Sequence, residues 1–177
     1  MTPAPPHAAD APDTAVILRC GPQLLAVATR FVERLLLSDE VGSGERTAGA
    51  WPARLWVGGR PFAAWDLGLM LGLGPQGAAQ VLLRVPWRGG FIGLALRTGA
   101  CVAVKRLPKA APLPSGIFGA RPGAILGGFE AAAALGKPDE ALLGYLLEPT
   151  ALWTEEELQA SAALADARAR DPEPGRD

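Results

Sequence analysis

The sequence predicts a mainly β fold that carries one short internal helix and one C-terminal helix. Three observations predict it. Short apolar runs of strand length recur from Val16 to Leu147, as expected of strands that bury at least one face. Turn signals separate these runs at regular spacing, in a chain with 22 glycines and 17 prolines among 177 residues. That rhythm belongs to a sandwich or barrel, since alternating strands and crossover helices need longer repeats. Finally, only two stretches carry the start signals of a helix.

Residues 1–14 and 170–177 read as disordered tails, Pro-rich or charged and without apolar anchors. Between them, Val16 to Cys20 and Leu24 to Ala28 are β-like runs joined at Gly21-Pro22, a first hairpin. Phe31, Val32, Leu35 and Leu36 suit a helix or an extension of strand into the loop at Ser38 to Gly49, and the pattern leaves that choice open. Leu55 to Val57, the turn Gly58-Gly59, and Pro61 to Trp65 form a second hairpin, the glycines providing positive φ. Asp66 then caps a short helix in which Leu67, Met70 and Leu71 recur at i, i+3, i+4. Val81 to Trp87, the turn Arg88-Gly89-Gly90, and Phe91 to Leu96 make a third hairpin, followed by strands at Ala100 to Lys105, Ala124 to Phe129 and Leu142 to Leu147. The last helix starts at Thr154, where Thr154 and Glu157 form a Thr-x-x-Glu capping box with Trp153 and Leu158 at the staple positions, and it extends to about Arg168 or residue 169.

Composition removes several functions. A net charge of −1 with no long basic run argues against nucleic acid or an anionic membrane as the main partner. Leu67 to Leu83 is too interrupted to span a bilayer, and the first residues lack the plan of a secretion signal, so a cytoplasmic protein is expected. The only histidine, His7, lies in the Pro-rich tail, which withholds the usual general base and the commonest metal ligand. Cys20 and Cys101 are isolated in apolar runs and read as small buried hydrophobes.

Gly72-x-Gly74-x-x-Gly77 has the spacing of a dinucleotide loop, but it follows a short helix and precedes a strand, the reverse of what such a loop needs. These glycines stop the helix instead, with Pro75 just beyond. Asp66 reads as a helix cap rather than a catalytic carboxylate, because no second acid stands at a suggestive spacing. Glu155, Glu156 and Glu157 read as acids meeting a helix dipole. Trp51, Trp56, Trp65, Trp87 and Trp153 read mostly as packing residues, and Arg60 either contacts a partner or is solvated. No cofactor and no metal are expected.

The segment Leu55 to Leu73 carries a resemblance. Gly59, Asp66, Leu67, Leu71, Gly72 and Leu73 fall at fixed positions of the pattern Gly-Val-Ile-Asn-Leu-Arg-Gly-x-x-Val-Pro-Val-x-Asp-Leu-x-x-x-Leu-Gly-Leu, and so the chain resembles the CheW-like domain of bacterial chemosensory proteins. Val16 to Val32 looks like that family's opening strand pair. Phe91 to Leu96 is similar to its Val-Gly-Leu-x-Val segment, and Ala124 to Glu130 with Leu142 to Leu152 resembles its closing hairpin. The resemblance implies two SH3-like β-barrels packed together over residues 15–153, followed by a helix over 154–169. It also implies a non-catalytic adaptor that couples chemoreceptors to the regulatory domain of a CheA-type histidine kinase, with Trp56, Val57, Gly58, Gly59 and Arg60 in the partner-binding region. The chain departs from the pattern at Trp56 and Gly58, where the family has Asn and Arg, at Arg97, where it has Asp, and at Glu148. Residues 130–141 also exceed the family's tight turn. A divergent scaffold in another motility or signalling complex, without receptor binding, is therefore a second reading; an enzyme is disfavoured by the lack of any histidine outside the tail and by the misplaced glycine loop. An echo between Leu55-Trp56-Val57-Gly58-Gly59 leading to Asp66 and Ile125-Leu126-Gly127-Gly128-Phe129 leading to Glu148 points to two related halves.

Overall fold

The computed structural model describes residues 14–37, 52–77, 79–106, 110–114, 123–135 and 142–166. Thr14–Cys20 (β1) and Gln23–Ala28 (β2) form the first hairpin. A 3-10 turn at Thr29–Phe31 leads into Val32–Leu35 (β3), which resolves the open choice in favour of strand. Phe31 is buried, while Glu33, Arg34 and Leu35 are exposed at a sheet edge, where propensity for helix counts for less than pairing with a neighbour. Ala53–Val57 (β4) and Arg60–Asp66 (β5) are the second hairpin, and Leu67–Met70 (α1) the short helix. Ala79–Trp87 (β6) and Gly90–Arg97 (β7) are the third hairpin, followed by Ala100–Arg106 (β8) and Ile125–Glu130 (β9). Ala131–Ala134 (α2), Leu143–Leu147 (β10), a 3-10 turn at Pro149–Ala151 and Glu155–Asp166 (α3) complete the chain.

The strands make two five-stranded sheets, ordered β8-β1-β2-β10-β9 and β3-β6-β7-β5-β4. This is the predicted mainly β body. Within it β5 runs parallel to β7 and β10 parallel to β2, two pairings that no hairpin signal specifies. Each sheet is a central hairpin flanked by one strand on one side and a second hairpin, added in parallel, on the other. The two sheets are therefore equivalent if β3 to β7 are matched in order with β8, β9, β10, β1 and β2. Under that match Asp66, at the end of β5, corresponds to Glu148, just after β10, as the echo between the halves suggested. The glycine part of the echo is wrong: Gly58-Gly59 is the β4–β5 turn, whereas Gly127 and Gly128 lie inside β9.

Three apolar clusters organise the interior. The largest lies between the sheets and joins Val16, Leu18, Leu25 and Val27 to Trp65, Leu83, Leu94 and Leu96. A second gathers Leu36, Leu55, Val57, Ala64, Leu82 and Ala95 around the other face of the β3–β7 sheet. The third gathers Ala15, Ile17, Leu24, Ala26, Phe129 and Ala131, with Ala103 and Leu146 against it, around the other face of the first sheet. Strands buried on both faces explain why the runs read as continuously apolar rather than alternating. Both sheets curl. Ala111, five positions past β8, pairs with Gly128 of β9 through two backbone hydrogen bonds of 2.8 and 2.9 Å. One stretch of chain thus borders both ends of the first sheet.

β1 takes in Thr14, which the sequence had assigned to the tail, because Thr14 pairs with Arg106 and its hydroxyl bonds that of Thr29. The alanine-rich stretch after β9 was read as loop and begins as α2. The rest of the expected tails, the loop at Ser38 to Gly49, Trp51, the remainder of the 130–141 segment from 136 on and the last turn expected for the C-terminal helix lie outside the described residues. Among the described residues no helix is long and apolar enough to cross a membrane.

Candidate partner-binding surface

Val57 stands opposite Arg60, so only two residues connect β4 to β5 and both adopt positive φ: +56° at Gly58 and +74° at Gly59. That turn matches the twist of paired strands and is open to glycine far more readily than to other residues. Of the five residues expected at a partner surface, two are inside. Val57 is 1% exposed within the cluster around Leu55 and Leu82, and Trp56, pointing to the opposite face of the edge strand, is 8% exposed. They form the framework of the turn, and the surface offered there consists of Gly58, Gly59 and Arg60.

Arg60 lies over Phe62, its Cζ 5.8 Å from the ring centroid. A second arginine reaches the turn from the far edge of the sheet: Nη2 of Arg34, in β3, is 3.8 Å from the point where a Cβ at position 58 would stand. The guanidinium missing from the motif at position 58 thus has a neighbouring one in space. Sequence reasoning missed Arg34, since the type of its segment was open and a contact between the two edge strands of a curled sheet has no short-range signature.

Asp66 does what a cap does, and more. Its Oδ1 accepts from the Leu69 amide at 3.0 Å and its Oδ2 from the Gln76 amide at 2.7 Å. Gln76 in turn accepts from the Gly21 amide through Oε1 at 3.1 Å and donates through Nε2 to the Gly74 carbonyl at 3.1 Å. One carboxylate therefore starts α1, fixes the loop that leaves it and, through Gln76, ties the second sheet to the β1–β2 turn of the first. Each of its oxygens accepts from a backbone amide, as a structural cap's does. The glycine loop is the helix exit: Gly72, at φ +71°, donates to the Leu69 carbonyl at 3.3 Å, and Leu73 donates to that of Gly68 at 2.7 Å, the two bonds of a Schellman stop. Glu148 plays the smaller counterpart of Asp66, accepting from the Thr150 amide at 3.1 Å.

The C-terminal helix is held against the second sheet, although it follows the first in sequence. The Glu157 amide donates to Thr154 Oγ1 at 3.2 Å and the Thr154 amide to Glu157 Oε2 at 2.7 Å, the reciprocal pair expected of the capping box. Trp153 and Leu158 are both buried, and Trp153 meets Trp65 edge-on, with centroids 6.4 Å apart. The indole of Trp65 donates to Ser161 Oγ at 3.0 Å, out of reach of water. At the β6–β7 turn, Trp87 Nε1 donates to Glu155 Oε2 at 3.0 Å and Arg88 Nε to Glu155 Oε1 at 2.9 Å.

Neither cysteine is bridged; Cys20 is buried and Cys101 half-buried. Burial, with the Asp66 charge adding to it, pushes Cys20 from 9.0 up to about 11, and burial raises Cys101 as well. Among the described residues no three of His, Cys, Asp and Glu gather where they could hold a metal.

No protein-family model matches this sequence, and no curated protein matches it. The fold does have a solved counterpart. It is similar to the crystal structure of the scaffolding protein TtCheW from Thermoanaerobacter tengcongensis, with a TM-score of 0.60 over 86% of this chain and 94% of that one, at 12% identity. The chain has a CheW-like fold.

Proposed function

We propose that this chain is a divergent CheW-like adaptor, a non-catalytic cytoplasmic scaffold that joins a CheA-type histidine kinase to chemoreceptors. One coincidence carries the reading: the motif positions Gly59, Asp66, Leu67, Leu71, Gly72 and Leu73 fall on the β4–β5 turn, the α1 cap and the α1 exit of a chain whose fold is similar to a scaffolding protein's. In this reading the adaptor module occupies 15–153 as two SH3-like barrels, one around each of the two smaller apolar clusters, and α3 is an appended brace. The exposed part of the β4–β5 turn, Gly58, Gly59 and Arg60, is the receptor-associated region. The positive charge that the family motif places at 58 comes here only from Arg34 in β3, while the hairpin strands that build the barrels remain recognisable. The kinase contact is accordingly the stronger of the two.

Paired titrations by calorimetry test this, using the kinase's CheW-like regulatory domain and a receptor signalling-tip fragment. Binding to the kinase domain in the micromolar range or tighter, about −8 kcal/mol or better, with weaker receptor binding that Arg34→Ala abolishes, is the expected result. Receptor binding without kinase binding would overturn the order of partners. Binding to neither favours the second reading, a scaffold of another complex, for which the replacement of the family's Asp by Arg97 is the specific motive.

A further inference from the structure

One face of the β3–β7 sheet ends in a basic and aromatic rim of which the adaptor reading uses Arg60 alone. Along that face the apolar residues Leu82, Ala95, Ala64 and Leu55 give way, toward the β6–β7 turn, to Arg84, Phe91, Gly93, Phe62 and Arg60. Arg84 stands opposite Gly93 in the register, and Phe62 fills the space that Gly93 leaves, 3.0 Å from where a Cβ there would lie. Arg84 lies over Phe91 at stacking distance, Cζ 3.8 Å from the ring centroid, and Arg60 lies more loosely over Phe62 at 5.8 Å. Phe91 is 57% exposed, an unusual position for a large apolar ring, and both arginines are exposed. Among the described residues no carboxylate pairs with either guanidinium, and each lies over a ring.

Stacking has a chemical consequence. A guanidinium held flat on a ring has already given up much of its rotamer freedom, while its in-plane N–H donors still point outward and can take a carboxylate two at a time. Strand spacing of ~4.8 Å and a rise of ~3.4 Å per residue put the Cα atoms of Arg60 and Arg84 about 12 Å apart, with the two rings between them. We infer that this rim is a docking site for an acidic protein segment, one that presents two carboxylates about 10 Å apart with an apolar residue between them to cover Phe62 and Phe91. A single-stranded nucleic acid fits less well: it needs open ring faces for its bases, and here one face of Phe91 is taken by the Arg84 guanidinium and Phe62 is half-buried. The inference rests on the rim's own geometry and shares only Arg60 with the proposed receptor region; Arg84, Phe91 and Phe62 lie outside it.

The experiment uses the full chain and a fluorescein-labelled peptide, Glu-Glu-Leu-Leu-Glu-Glu, followed by fluorescence anisotropy at low salt. Saturable binding is expected, weakened tenfold or more by Arg84→Glu and by Arg60→Glu, severalfold by Phe91→Ala, and also by added salt. The double variant R60E/R84E should prefer the Lys-Lys-Leu-Leu-Lys-Lys peptide, and R60Q/R84Q should bind neither; unchanged melting temperatures in all variants exclude misfolding as the cause. The proposal is overturned if the acidic peptide does not saturate the wild-type chain, if R60E/R84E binds it undiminished, if Glu-Glu-Ser-Ser-Glu-Glu binds equally well, or if a ten-nucleotide oligothymidylate binds more tightly and displaces it.

Discussion

Asp66 concentrates structural work in one side chain, and its removal separates the roles weighed for it. Asp66→Ala loses the cap on α1 and leaves the Gln76 amide without its acceptor, so stability should fall by about 1–2 kcal/mol in urea titrations. Asp66→Asn should recover part of the loss, because Asn also caps well. The cap was legible in the sequence from an Asp standing before Leu67. The bond to Gln76 was not, nor the link from Gln76 to Gly21, 55 residues away, since nothing local marks a partner at that distance. Cys20 offers a test by pH. Its folded value, raised from 9.0 to about 11 by burial and then by Asp66, means that the folded chain holds this proton where the unfolded chain has released it. The folded state thus binds more protons between about pH 9 and pH 11, and stability falls as pH rises through that window. Unfolding titrations at pH 8 and pH 10.5 should show a smaller fall for Cys20→Ala than for the wild type; equal falls would mean that the thiol is not shielded as described.

At the scale of elements, the turn between β6 and β7 sets two effects of similar size against each other. Arg88 sits at φ +47°, a conformation that costs a non-glycine residue roughly 1 kcal/mol or somewhat more. Its ion pair with Glu155, at 2.8 Å, joins side chains that are 55% and 62% exposed, and such pairs are worth below about 1 kcal/mol. Arg88→Gly should therefore leave the melting temperature nearly unchanged, whereas Arg88→Ala, which keeps the strain and loses the pair, should lower stability by about 1 kcal/mol. Thermal melts of both variants decide it. Hairpins and caps of this kind were readable because their signals are local: Gly58-Gly59, Asp66 before Leu67, Thr154 with Glu157. The parallel pairings of β5 with β7 and β10 with β2 were not, because strand direction between non-neighbouring elements depends on the path of the chain and not on any residue in the strands. For the same reason the sequence could name Arg60 at a surface but not bring Arg84 and Phe91 beside it.

For the whole molecule, the decisive feature is the apolar cluster shared by both sheets. Trp65, Leu83, Leu94 and Leu96 of the second sheet rest on Val16, Leu18, Leu25 and Val27 of the first, so neither sheet keeps its covering face dry alone. A fragment comprising residues 29–98 holds all five strands of the second sheet, yet it should fail to unfold cooperatively, while the full chain should show equal calorimetric and van't Hoff enthalpies. A sharp calorimetric transition in the fragment would mean that the halves are independent. The equivalence of the two sheets was only faintly visible in the sequence, through Asp66 and Glu148, because the first sheet takes its central hairpin from the start of the chain and its flanking hairpin from the end. That arrangement has a consequence during synthesis. As the chain leaves the ribosome, β1 and β2 emerge first and remain without β9 and β10 until more than a hundred further residues have been made, while the second sheet, contiguous in sequence, is complete once β7 has cleared the exit tunnel. Translation that stops before β10 releases a chain whose first hairpin still displays the unpaired edge of β2, so truncated products of this gene should be insoluble and should associate with chaperones that hold extended strands.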